Sequence, residues 1–381
     1  MAEFDTVTEN AALKDAIIKR ILAEQGISFR DFMAIVLYHP ALGYYAGRRD
    51  PIGREADYVT SPELSPLFGA MIGRQLREMW ERLGSAPVFD VVEAGAGSGV
   101  LARDILAWAR RAAPPLFAAL HYAIVEPHAA AMYRQREHLS AEGLVPKVSW
   151  AAEIPLDVSG CIFSNELLDA MPVHRVAVEN AKLREIHVTW DGTRFAEELR
   201  KPDPPVAAYF KRLKLLPGEG CRAEVNLGAL AWIREAFASL TRGFLMTIDY
   251  GYEAAELYAS WRQDGTLLCF YRQNPSADPY ARIGRQDMTA HVDFTSIRRA
   301  GEAAGLATLG LVTQSQFLAN LGLAEALQPP PEAAGLEEYA ARRRAVTELL
   351  DPAGLGRLRV LVQAKSVTDS SLTGLASAAD G

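Results

Sequence analysis

The chain has 381 residues, 49% of them hydrophobic and 23% charged, which excludes a disordered, collagen-like or low-complexity protein and leaves ample material for a buried core. Forty Lys and Arg against 47 Asp and Glu give a net charge of −7, the wrong sign for binding nucleic acid through a basic face. Cys161, Cys221 and Cys269 form no CxxC pair and the seven histidines show no HExxH or HxH spacing, so neither a disulfide framework nor a metal centre has support.

In chain order, Leu13, Ile17 and Ile21 at four-residue spacing predict a helix over 8–25. Ser28 with Asp31 three residues on reads as a capping box opening a second helix, stopped by His39-Pro40. After a loop over 39–60, Ser61 with Pro62 predicts a helix from 61 to about 83. From Val88 strands and helices alternate. The strand Val88–Ala94 is followed by a glycine loop and a helix carrying Leu101, Ile105 and Trp108. Tyr122–Val125, a helix over 129–140, Val148–Trp150 and Gly160–Ser164 follow. Such alternation implies a doubly wound α/β sheet. Val173–Val178 and Leu183–Trp190 predict a hairpin, and with the Pro-rich 201–205 they mark an insertion at about 172–225. A helix near 227–240, strands Phe244–Ile248 and Thr266–Tyr271, a helix near 295–304, a strand at 307–312, a helix over 334–350 and a strand at 359–363 complete the pattern. The expected organisation is an N-terminal helical region (1–85), a core (86–365) carrying the insertion, and a disordered tail (366–381).

The loop Glu93-Ala-Gly-Ala-Gly-Ser-Gly99 stands between a predicted strand and a predicted helix, the context of a nucleotide loop. It has no Lys, so it is not a phosphate-binding P-loop. Val100 occupies the third small position of a dinucleotide fingerprint, which weakens the NAD reading. The third reading is GxGxG preceded by an acid, the pattern of S-adenosylmethionine (SAM) methyltransferases. Glycines let the backbone approach an amino-acid moiety, and Glu93 suits a ligand carrying an ammonium and a sulfonium. A tight turn needing glycines for positive φ is the plain structural alternative. Glu126 closes the next strand, where a carboxylate accepts from both ribose hydroxyls, as it would also in an NAD enzyme. Asn165 and Glu166 fall at the carboxyl end of the fourth strand. Glu166 and Asp169 would share a face if the segment were helical, and two carboxylates can hold a guanidinium bidentately. The alternative is a solvated Glu166 and an Asp169 that caps a turn. His291, in Gln286–Phe294, has the pKa range to take up a proton, or it packs locally while Asp293 or Thr295 caps the next helix. Tyr44, Tyr45, Tyr250 and Tyr271 either line a substrate entrance or pack.

Several longer strings carry a more specific signal. Ser28-Phe-Arg-Asp-Phe-Met with Tyr38-His-Pro and Gly43-Tyr-Tyr, Asp57-Tyr-Val-Thr-Ser-Pro-Glu63, Ser164-Asn-Glu-Leu-Leu-Asp-Ala-Met-Pro-Val-His, Ile248-Asp-Tyr-Gly, Gly265-Thr-Leu-Leu-Cys-Phe-Tyr-Arg and Gln286–Phe294 together resemble the MidA-type family of SAM-dependent methyltransferases. That family includes a mitochondrial protein arginine methyltransferase needed for assembly of respiratory complex I. The resemblance implies a class I, Rossmann-like, seven-stranded core with inserted α+β elements on the substrate side. It further implies SAM as cofactor, and a protein arginine, as in a complex I subunit, as substrate giving the symmetrically dimethylated product. Glu93, Gly95, Ala96, Gly97, Gly99, Glu126 and Asn165, with Thr60 and Ser61 beside them, are the expected cofactor residues; Glu166, Asp169 and His291 are the expected catalytic ones. Many relatives have a proline and an arginine in the loop, so the contacts of Ala96 and Ser98 stay open here. The N-terminus lacks the features of a presequence and no apolar run approaches the roughly 20 residues of a spanning helix, so a bacterial, cytoplasmic protein is expected. A SAM-binding assembly factor with little turnover is the alternative from another class.

Overall fold

The computed structural model describes residues 9–46, 60–328 and 336–376. The chain divides into two compact units, one of residues 1–58, 168–231 and 252–296, the other of 59–167, 232–251 and 297–381. This division differs from the expected one. The region 1–85 is split, and residues 59–85 belong with the core, where Phe68, Ile72, Leu76 and Met79 are fully buried.

The second unit is built on a seven-stranded sheet. Its strands in chain order are β1 (Phe89–Ala94), β2 (Leu120–Val125), β3 (Val148–Ala151), β4 (Val158–Asn165), β5 (Leu240–Asp249), β6 (Ala307–Thr313) and β7 (Arg359–Lys365). They lie in the order β6-β7-β5-β4-β1-β2-β3. Strands β1 to β5 run parallel, and β7 is antiparallel to both β5 and β6. The inner strands are continuous apolar runs, with Val91, Val92, Cys161, Ile162, Phe163, Leu245 and Met246 all buried. A sheet covered by helices on both faces selects that pattern over alternation. The chain steps outward from β1 to β2 and β3, then returns to lay β4 on the other side of β1. The order therefore reverses between β1 and β4, the point where open α/β sheets form a ligand crevice at the strands' carboxyl ends.

The first unit holds an antiparallel sheet in which Ile27–Ser28, His174–Glu179, Lys182–Trp190, Phe195–Arg200 and Arg222–Val225 pair, and a three-stranded one of Leu268–Tyr271, Asn274–Ser276 and Asp287–Thr289. Its core gathers Leu13, Ile17, Phe29, Phe32, Val36, Tyr44, Val188, Cys269 and Met288. The N-cap half of the capping box is present: Ser28 Oγ accepts from the Asp31 N–H at 3.1 Å, opening the helix Phe29–Tyr38, while the Asp31 carboxylate accepts from the Ser28 hydroxyl at 2.9 Å rather than from its backbone N–H.

Three expectations about elements are corrected. The helix read over 61–83 is two helices, Ser61–Leu64 and Pro66–Arg82. Ser65, forced extended by the following proline (φ −166°), ends the first and caps the second with its Oγ. The Pro-rich stretch, to which no helix is assigned from the sequence, starts one, Pro204–Leu213, with prolines in its first turn where no N–H is missed. The tail is ordered as far as residue 376: Leu372 is buried, and the Thr373 N–H donates to Glu78 Oε2 at 2.9 Å. Residues 377–381 lie outside the described residues.

Candidate functional site

The glycine loop leaves β1 at the reversal point. Gly95, Gly97 and Gly99 all have positive φ (+73°, +54° and +84°), conformations that side chains disfavour. The tight-turn requirement is thus met at all three positions. Gly99 caps the helix Val100–Ala112, whose first N–H groups open onto the loop. A Cβ on Gly99 would stand 3.0 Å from the backbone of Gln135, so the helix Ala129–Ala141 packs directly on the turn. Ser98 donates to Glu63 on the Ser61–Leu64 helix.

Glu93, 2% exposed, accepts from the Tyr122 hydroxyl at 2.7 Å. Burial pushes its carboxyl up from 4.5 to about 7, against the lowering effect of that hydrogen bond. The raised value means that the folded state holds the proton more tightly than the unfolded chain. Stability therefore falls as pH rises from about 4.5 to about 7, by on the order of 3 kcal/mol, and stays level above. The variant Glu93→Gln is expected to remove this slope: urea titrations at pH 5 and pH 8 should show it gaining stability relative to the parent at the higher pH. Equal differences at both pH values would place the carboxylate in a wetter environment.

Glu126, at the end of β2, is held on both oxygens. The His128 N–H donates to Oε1 at 3.0 Å and Gln135 Nε2 donates to Oε2 at 3.1 Å. The same Gln135 amide nitrogen donates to the Gly97 carbonyl at 3.1 Å, and its Oε1 accepts from Trp150 Nε1 at 2.9 Å. Gln135 escaped the sequence reading because a glutamine within a helix has no distinguishing spacing.

At the end of β4, Ser164 Oγ and Asn165 Oδ1 are buried without a hydrogen-bond partner, as is Thr247 Oγ1, whose residue is the register partner of Ser164 on β5. Asn165 Nδ2 donates to Glu166 Oε1 at 3.1 Å, and the Ser61 N–H donates to the same oxygen at 3.3 Å. Glu166 has φ +49°, a left-handed conformation that costs a non-glycine residue strain, and its own N–H is fixed to the Ile248 carbonyl at 2.9 Å. Ser61 is fully buried and its Oγ accepts from Gln314 Nε2 at 3.0 Å, while Thr60 precedes the short helix as its cap. The second unit thus carries Thr60, Ser61, Glu93, Gly95, Ala96, Gly97, Gly99, Glu126, Asn165 and Glu166.

Asp169 and His291 belong to the first unit. Residues 166–173 form no helix, so the three-residue spacing does not align Glu166 with Asp169 as a helical face would. Asp169 is buried, and its carbonyl accepts the Ala290 N–H at 2.9 Å, which sets it beside the strand leading to His291. The His291 N–H donates to Thr266 Oγ1 at 3.0 Å, and its ring lies 5.3 Å from that of Tyr252. Asp293 is a helix cap: its Oδ1 accepts from the Ser296 N–H at 3.1 Å while Oδ2 accepts from the Tyr209 hydroxyl at 2.7 Å. The motif tyrosines of this unit build its interior. Tyr44 is buried, Tyr45 donates to Asp287 Oδ1 at 2.8 Å, and Tyr38 donates to the Ala170 carbonyl at 2.9 Å. Gly265 is fixed by sterics, since a Cβ there would lie 2.4 Å from the Glu224 carboxylate that binds the Thr266 N–H. Of the string 57–63, residues 57–59 lie outside the described residues. Among the described residues no His, Cys, Asp and Glu cluster suits a metal, and no helix is long and apolar enough to cross a membrane.

A family model for S-adenosyl-L-methionine-dependent methyltransferases matches residues 71–312. The chain is 28% identical over 380 residues to the protein arginine methyltransferase NDUFAF7 homolog, mitochondrial, of Drosophila melanogaster, covering 91% of this chain and 83% of that one. It is 27% identical over 337 residues to the human protein arginine methyltransferase NDUFAF7, mitochondrial, covering 81% and 72%. A crystal structure from Burkholderia thailandensis bound to S-adenosyl-homocysteine is similar with a TM-score of 0.87 and 33% identity, covering 98% of this chain and 97% of that one. A SAM-dependent methyltransferase is the class that these findings define. The chain belongs to its MidA-type family.

SAM is the cofactor. The residues present fit such a ligand on two counts. Gly95, Gly97 and Gly99 put no side chain of their own on the loop, and the unpartnered acceptor Asn165 Oδ1 lies buried at the end of the adjoining strand. An ammonium is the kind of donor that would satisfy it.

Proposed function

We propose that the protein is a class I enzyme that methylates a guanidinium nitrogen of arginine in a protein partner, the cofactor being held in the reversal-point crevice by the glycine loop, Glu126 and Asn165. The names of the curated relatives support the substrate class, and the family resemblance supports a respiratory complex I subunit as partner. The observation that carries the reading is the backbone of Glu166. A carboxylate on a left-handed, strand-end residue, pinned on one oxygen by Asn165 and the Ser61 N–H, is a group held in place at a cost. A group that orients a nucleophile has reason to carry that cost.

SAM supplies an electrophilic methyl on sulfonium. Glu166 orients the acceptor guanidinium by charge-assisted hydrogen bonds, so that one nitrogen faces the methyl. As the new N–C bond forms and the S–C bond breaks, that nitrogen sheds a proton, which passes to water. The test is Glu166→Gln, assayed with labelled SAM and lysate from a strain lacking the protein. Transfer to protein is expected to fall about 100-fold, the scale of losing one charged orienting group, with S-adenosyl-homocysteine affinity kept within a small factor. Undiminished labelling by the variant would remove Glu166 from the acceptor site. No labelled band with the parent enzyme would favour the binding-only alternative.

A further inference from the structure

We infer that Gln135 is a positioning residue that sets the cofactor's affinity by locking the glycine loop to the ribose-binding carboxylate. The inference rests on the reading that the cofactor lies between the glycine loop and Glu126. Three separate strand ends meet on this one side chain. Its amide nitrogen donates to the Gly97 carbonyl and to Glu126 Oε2, and its carbonyl accepts from Trp150 at the end of β3. An amide nitrogen has two hydrogens, and both are used. The indole, which can only donate, fixes which way the amide faces, so the two donor bonds follow from the third. Gln135 is fully buried, and its own backbone is pressed against the turn at Gly99.

The consequence is mechanical. The peptide of Gly97 and the carboxylate of Glu126 belong to loops after different strands, yet one rigid group spans them. With Oε1 held by the His128 N–H and Oε2 by Gln135, the plane of the Glu126 carboxylate is fixed, leaving its remaining lone pairs directed at one place. A diol must be met by both oxygens at once, so a carboxylate free to rotate would bind it more weakly. Gln135 touches no reacting atom in this account; it acts through Glu126 and Gly97.

The decisive variant is Gln135→Glu, which keeps the shape and sets two carboxylates about 3 Å apart. Such a pair ionises fully only at a raised pH, because like charges at that distance share a proton. The binding of S-adenosyl-homocysteine is measured by calorimetry from pH 5.5 to pH 8.5, with each value taken relative to the parent protein at the same pH. The variant is expected to bind within a few-fold of the parent at the acid end and more than about tenfold more weakly at the alkaline end, the scale of a lost hydrogen bond to a charged group. A residue that only packs would give a ratio independent of pH. Gln135→Met, neutral and of similar length, is expected to weaken binding about tenfold at every pH, and it serves if the charged variant does not fold. Glu126→Ala separates the two levels of the argument. If it binds like the parent, the cofactor reading itself is wrong. If it binds weakly while both Gln135 variants match the parent across the range, the positioning role of Gln135 is overturned and the reading stands.

Discussion

Gly97→Leu is expected to abolish measurable SAM binding while the protein stays folded. The left-handed conformation of Gly97 costs a side-chain-bearing residue roughly 1–2 kcal/mol, which a domain with 5–15 kcal/mol of stability can absorb. The ligand has no such reserve. On the proposed reading the loop's backbone seats the ligand, and a four-carbon side chain at its centre would compete for that space. The Gly97 carbonyl would also have to keep its bond to Gln135 from an altered backbone. Calorimetry with S-adenosyl-homocysteine reads the first effect and a urea midpoint the second. Affinity equal to that of the parent would move the cofactor out of this loop.

The second large effect lies away from the site. Gly243→Ala is expected to cost at least about 3 kcal/mol, the range of severe backbone overpacking. Gly243 on β5 faces Gly160 on β4, and an added Cβ would lie 1.9 Å from the Gly160 carbonyl oxygen; a Cβ on Gly160 would in turn lie 2.0 Å from the oxygen of Asp90 on β1. Three neighbouring strands therefore close on one another across two bare positions, with a register shift at Leu240/Arg242 just before them. Nothing flexible is available to move, because each contact atom is backbone inside a ladder. Gly192 makes the comparison: it too has positive φ, but no atom lies within 4 Å of its would-be Cβ, so Gly192→Ala should cost only the conformational strain of about 1 kcal/mol. Equal urea midpoints for the two variants would mean that the β4–β5 contact is looser than described.

How far the chain could be read before its structure depended on how local each signal was. The N-cap at Ser28 and the strand–glycine loop–helix order are short-range, and both are present in the structure. Pro66 and Pro204 were also local signals, and both were misread. In each case a proline opened a helix, where the reading had carried one helix across the first and none from the second. The insertion's partner was not legible: Ile27–Ser28 pairs with residues 187–188, a contact across some 160 positions that no periodicity announces. Of the candidate site residues, Glu93, Glu126, Asn165 and Glu166 lie at or just past strand ends, which the order of elements marks because a parallel sheet exposes its carboxyl ends. Gln135 could not, since only the rotation of its helix decides that it faces the loop. The alignment of Glu166 with Asp169 rested on a helix that the segment does not form.

The position of β7 has a consequence for how this protein is made. It is the last of the seven strands in chain order, yet it lies between β5 and β6, with antiparallel partners along both edges. On the ribosome, β5 and β6 emerge first and must stand apart with open backbone edges until Arg359–Lys365 arrives to fill the slot. Sheet closure in this unit therefore waits until residues 359–365 have been synthesised, and a nascent chain stalled before that point would present two unpaired inner edges to other polypeptides.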